Sequence, residues 1–170
     1  MSATPTSPIA ELNAPQVVIT RVFNAPREIV FKAWTDPEQL LLWYAPNGCT
    51  IRFRQIDIRE GGSFHSCIQT PGGFQCWCTG VYQEITVPER IVYTMAMADE
   101  HGNRIQPAAA GHDPEWPAET ILTVTFADLG RKTQLTLHQT VSEALAMRTG
   151  AHPSWIQMLD RLDEQLSDRA

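Results

Sequence analysis

Apolar and polar positions along this chain follow a strand period, then a helical one, then a long strand period, and end helical. The run QVVITRVF from Gln16 is rich in β-branched residues and short enough to be a strand. Asn24-Ala25-Pro26 follows, where Asn24 can cap and Pro26 can take the first helical position, since its missing N–H would be unpaired there anyway. Behind it Ile29, Val30, Ala33 and Trp34 recur at helical spacing. A second short helix is predicted after Asp36-Pro37, carrying Leu40, Leu41 and Trp43 and stopping near Ala45-Pro46-Asn47-Gly48.

Beyond Gly48 the period falls to two. CTIRFRQIDI sets Ile51, Phe53, Ile56 and Ile58 imperfectly against Arg52, Arg54 and Asp57, and Gly61-Gly62 then allows a turn at positive φ. SFHSCIQ and FQCWCTGVYQEI read as a hairpin around Thr70–Gly73, Val87-Pro88-Glu89 interrupts, and RIVYTMAM continues the sheet. Residues 99–118 form a long connection without a period. TILTVTFAD and TQLTLHQT are two more strands joined through Gly130. At the end Trp155, Met158, Leu159, Leu162 and Leu166 fall on one helical stripe, with Asp160, Arg161, Asp163 and Glu164 facing away. The expected fold is α+β: one strand, two short helices, about six further antiparallel strands, and a long C-terminal helix that buries its stripe on the curved sheet. Residues 1–15 read as a flexible arm and 16–170 as one domain.

Composition narrows the function classes. With 43% hydrophobic and 19% charged residues, five Trp and six Phe among 170, the chain is globular and large enough to close its own core. Thirteen Lys and Arg against nineteen Asp and Glu give a net charge of -6, so a phosphate backbone is not an expected partner. No stretch approaches the ~20 apolar residues of a membrane span, and the N-terminus lacks the basic and apolar regions of a secretion signal. A cytoplasmic location follows as the expectation. Cys49, Cys67, Cys76 and Cys78 are then expected as thiols rather than disulfides.

The blocks VFNAPREIVFKAWTDPEQLLLWYAP, DIREGGSF, GVYQEITVPERIVYT, TVTFADLGRKTQLTLHQT and SWIQMLDRLDEQL, in this order, resemble the AHSA-type branch of the START-like (SRPBCC) superfamily, named for the activator of heat-shock-protein ATPase. The likeness runs from about Val17 to the C-terminus and implies the helix-grip fold, with an apolar cavity between sheet and terminal helix. Where such families usually have Gly-Trp at the start of the last helix, this chain has Ser154-Trp155.

The candidate cavity set is aromatic and thioether-rich: Trp43, Phe64, Trp77, Tyr82, Tyr93, Met95, Met97, Trp116, Trp155, Met158 and, on the helix stripe, Leu159. Each is a core residue if no cavity exists. Trp116, between Pro114 and Pro117, serves either as a lid or as a structural plug. His65 with Cys67, and Cys76 with Cys78, are each two apart on a strand and share a face; an even hairpin loop such as Thr70–Gly73 would bring all four together. H-x-C and C-x-C are not the usual C-x-x-C knuckle, so they are read as buried thiols, with no metal and no cofactor expected. Glu84, two residues after Tyr82, would place a carboxylate in the cavity; His65, Asp57, Glu119 and His138 complete the acid–base candidates. Asp57, Arg59 and Glu60 before Gly61-Gly62 are explained by a turn. No G-x-S-x-G elbow or Gly-rich helix opening is present.

The reading that follows is non-catalytic binding of a small hydrophobic or aromatic molecule. Two alternatives stand beside it: a chaperone-associated stress protein whose partner is a heat-shock ATPase, and a polyketide-cyclase-like or hydrolase-like enzyme using Glu84 or His65. Helix-grip proteins can pair as homodimers, and no feature here selects an interface.

Overall fold

The computed structural model describes residues 14–167, so most of the arm expected over residues 1–15 lies outside the described residues. Strand β1 (Gln16–Phe23) is followed by helices α1 (Arg27–Thr35) and α2 (Pro37–Trp43). Six strands come next: β2 (Thr50–Ile56), β3 (Ser63–Gln69), β4 (Gln75–Thr86), β5 (Arg90–Met97), β6 (Thr120–Asp128) and β7 (Thr133–Ser142). Helices α3 (Glu143–Thr149) and α4 (Ala151–Ser167) close the chain. No helix among the described residues is long and apolar enough to cross a membrane.

The seven strands form one antiparallel sheet in the order β1-β7-β6-β5-β4-β3-β2. Breaks in register between Phe53 and Gln55 and between Tyr82 and Glu84 add the local bends that curve it. Because β1 and β2 are opposite edges, the chain between them has to cross the sheet, and α1 and α2 are that crossing. The inner face therefore meets three helices, where the sequence suggested one.

Local chemistry sets the helix ends. Asp36 caps α2 by accepting from the Glu38 amide at 3.0 Å, with Pro37 in the first turn as expected. The cap of α1 falls on Pro26 instead of Asn24. Helix α1 buries Val30, Phe31, Ala33 and Trp34 while Ile29 stays exposed, and α2 buries Gln39, Leu40 and Trp43 while Leu41 stays exposed. The Trp43 indole donates to the Ala33 carbonyl at 3.0 Å, which locks the two helices together. Arg161 does not face away with its charged neighbours. Its guanidinium donates to the carbonyls of Ala45 (2.6 Å) and Leu42 (3.1 Å), fastening the end of α2 to α4.

Helix α4 packs Trp155, Met158, Leu159, Leu162 and Leu166 into the core as its stripe predicts. Ser154 in place of Gly does not hold it off: the Trp155 indole donates at 3.0 Å to Gln139 on β7. Helix α3 was not expected, although Ser142 caps it through the Leu145 amide and Gly150 ends it at φ 86. The Asp57–Gly62 segment is a turn. Asp57 pairs with Arg59 at 2.7 Å, Glu60 accepts from the Ile85 amide, and a Cβ on Gly62 would collide with the Asp57 carbonyl.

Candidate ligand pocket

The inner face of β2–β5 and the α1–α2 crossing enclose an apolar pocket. Trp34 comes from α1, Leu40 from α2, Tyr44 from the residue after α2, Phe53 from β2, Phe64 from β3, Tyr82 from β4, and Ile91 and Tyr93 from β5. The cavity these walls leave is only about 20 Å³. That is room for about one water molecule. The hollow expected from one helix on a curved sheet is thus largely filled, and the filling is supplied by Trp34, Leu40 and Tyr44 of the crossing.

Polar chemistry inside is confined to three phenols and an indole. The hydroxyls of Tyr44 and Tyr93 share one hydrogen bond of 2.6 Å, and the nearest further acceptor is the Met95 sulfur, 4.0 Å from Tyr44. Two hydroxyl protons thus have one good acceptor between them. The indole N–H of Trp34, a residue only 3% exposed, has no partner. Burial pushes the phenols of Tyr44, Tyr82 and Tyr93 well above their ordinary value, so all three stay neutral at physiological pH and none supplies a charge. No carboxylate or imidazole lines this space.

The remaining residues singled out from the sequence divide into groups. Phe64, Tyr82 and Tyr93 line the pocket itself. Trp155 stands behind it, stacked on Trp34 (6.5 Å, 21°) and edge-on to Tyr44, and Trp43 packs on Trp34 at 4.7 Å. Met95 approaches through the Tyr44 hydroxyl, whereas Met97, Met158 and Leu159 are core. Trp116 is buried in the main core beside the His112 ring as a plug, and Arg148 of α3 holds its loop through Asp113 (3.2 Å) and Glu115 (2.8 Å).

Trp77 faces the other way. It pairs with Cys67 across β3–β4 and sits on the outer face with Ala98. The hairpin closes at Gln69–Gln75, one residue later than expected, so the loop 70–74 is odd and the two Cys-bearing pairs part. His65 and Cys67 lie outward, and Cys76 and Cys78 inward. There the hydrogen bond between the two thiols lowers Cys76 and raises Cys78. Burial raises the Cys67 thiol despite the neighbouring Arg52. Among the described residues no cluster of three potential metal ligands forms.

Neither candidate base reaches the pocket. The bulge between Tyr82 and Glu84 undoes the two-residue alternation, and the Glu84 carboxylate lies at the surface, 3.2 Å from Arg90 and accepting from Thr86. His65 donates to the Asp99 carbonyl at 3.0 Å. His138 contacts the Gln16 side chain at 2.7 Å, and Glu119 pairs with Arg104. Sequence reasoning missed Trp34, Leu40, Tyr44, Phe53 and Ile91 as pocket residues. Trp34 was visible only as a member of a helix stripe, and nothing local marks Tyr44.

An open antiparallel sheet packed on a long C-terminal helix, with an aromatic-lined pocket under the α1–α2 crossing and not under that helix, defines a helix-grip protein of the START-like class. The family described as "Activator of Hsp90 ATPase homolog 1-like protein" matches residues 24–167, and the chain belongs to that family. Among solved structures it is similar to a Chromobacterium violaceum protein at 26% identity (TM-score 0.72, covering 88% of this chain and 95% of that one). An Arthrobacter aurescens protein is 23% identical (TM-score 0.79, 92% and 88% covered). The AHSA1 protein of Silicibacter pomeroyi is 19% identical (TM-score 0.73, 91% and 99% covered). No curated protein matches.

Proposed function

We propose that the protein binds a small, neutral, aromatic or apolar molecule that carries a hydrogen-bond acceptor, without catalysing its conversion. The observation that carries this reading is the Trp34 indole, a buried donor without a partner on a residue of an otherwise apolar wall, beside a Tyr44/Tyr93 hydroxyl pair whose second proton has only the Met95 sulfur as acceptor. A buried donor without an acceptor costs ~1–3 kcal/mol, and a guest carbonyl or ether oxygen recovers that. The walls carry no cation, which disfavours a carboxylate guest.

Binding requires the pocket to widen. Tyr44 and Phe53 are only partly buried, so they are the walls able to swing outward without opening the core. A bicyclic aromatic that buries ~200 Å² gains ~5 kcal/mol at ~25 cal/mol per Å², before the costs of association and of moving those rings. From that apolar contact alone, affinity of roughly 0.2 mM or weaker follows.

Amide-shift titrations with 1-acetonaphthone and with naphthalene test this. The ketone is expected to bind about tenfold tighter than the hydrocarbon, and Tyr44→Phe combined with Tyr93→Phe, which removes both hydroxyl donors, is expected to lower that preference. Equal affinities would remove the donor argument, and no binding of either compound would remove the pocket.

A further inference from the structure

On the outer face of the sheet, at its β2 edge, two arginines share one indole. The guanidinium carbons of Arg52 and Arg54 stand 5.2 and 5.0 Å from the centre of the Trp77 ring. Both side chains are on β2, the last strand of the sheet. In a chain of net charge -6, Arg21, Arg27, Arg59, Arg90, Arg104 and Arg148 each pair with a carboxylate; among the described residues Arg52 and Arg54 do not, nor do Arg131 and Arg161, the last bonded to backbone carbonyls. Two like charges on one ring repel each other, and no carboxylate among the described residues offsets that repulsion. The base beneath them is rigid. Trp77, Cys67 and Ala98 are buried together there, and His65 packs on the indole at 4.9 Å.

The backbone of the same strand is open. As an edge, β2 turns every second residue's N–H and C=O away from β3, and among the described residues no backbone group outside the sheet bonds to Thr50–Ile56. A strand added along Thr50–Phe53, ahead of the bulge that leaves Arg54 without a partner on β3, would stand its own side chains directly opposite those of β2, about 5 Å away between Cβ atoms. Residues two apart on that strand share a face.

We infer that the β2 edge docks an extended acidic segment of a partner protein, which adds to the sheet and places carboxylates two residues apart against Arg52 and Arg54. Backbone pairing supplies the attachment, and the two guanidiniums select the charge pattern and the register. The two arginines and Trp77 lie on the opposite face from the aromatic pocket, while Phe53 of the same strand is one of its walls.

The test is an amide-shift titration of the intact protein with the heptapeptide Thr-Glu-Val-Glu-Val-Glu-Thr, a Lys-for-Glu counterpart and inorganic phosphate, all at one ionic strength. The acidic peptide is expected to shift the amides of Thr50–Ile56 and the Trp77 indole. Arg52→Gln with Arg54→Gln should weaken it about tenfold, and Arg52→Lys with Arg54→Lys, which keeps the charge but not the planar fork on the indole, should weaken it less than the glutamine pair. Both variants are checked for folding by their thermal midpoints. Equal binding of the lysine peptide, equal binding by the glutamine variant, or phosphate reproducing the same shifts would overturn the inference.

Discussion

Gly80→Ala is expected to destabilise the protein by ~3 kcal/mol or more, lowering its thermal midpoint by about 10 °C. Gly80 lies in β4 opposite Phe64 of β3, with Thr94 of β5 on its other side. A Cβ there would enter the Thr94 carbonyl oxygen and stand 2.6 Å from the Phe64 ring. The carbonyl is part of the sheet and cannot retreat alone, so either β4 and β5 separate or the ring is pushed aside. Phe64 is a pocket wall, and the little free volume inside leaves its ring nowhere to go. Thermal unfolding followed by circular dichroism checks this, and a midpoint within about 1 °C of the parent would contradict it.

Trp155→Ala should cost a comparable or larger amount, ~4 kcal/mol, for two separable reasons. Removing the ring takes the stacking surface from Trp34 and the edge contact from Tyr44, leaving a cavity under helix α4. It also strips the Gln139 carbonyl of its donor, while the Gln139 amide still donates to Thr120 at 3.1 Å. Trp155→Phe keeps much of the packing but not the hydrogen bond, and is expected to lose only ~1–2 kcal/mol. Denaturant unfolding of both variants separates the terms. Equal losses would mean that packing against Trp34 contributes nothing.

The strands were legible because alternation marks a sheet that buries one face. QVVITRVF, SFHSCIQ and RIVYTMAM reappear with their predicted bounds, and the Trp155–Leu166 stripe reports its buried side directly. Helix α3 escaped because it buries only Ala146, so the span after Ser142 has no apolar stripe to betray it.

What periodicity cannot carry is register. One extra loop residue before Gln75 set Trp77 and Cys67 on the outer face, and one bulge after Tyr82 sent Glu84 to the surface. The pocket was legible in part. Phe64, Tyr82 and Tyr93 follow from the strand pattern, but their opposing walls, Trp34, Leu40 and Tyr44, come from helices whose route depends on β1 and β2 being opposite edges. That pairing order is a long-range fact, and no local signal in the chain encodes it.

The tightness of the pocket and the surplus of its donors make contact between guest and walls the decisive observable. Intermolecular nuclear Overhauser effects from 1-acetonaphthone to the ring protons of Phe64, Tyr82 and Tyr93 measure it directly. Cross-peaks to those three rings, and to the Trp34 indole proton, are the predicted result. Cross-peaks only to exposed side chains such as Leu41, Leu42 or Phe74 would contradict the account.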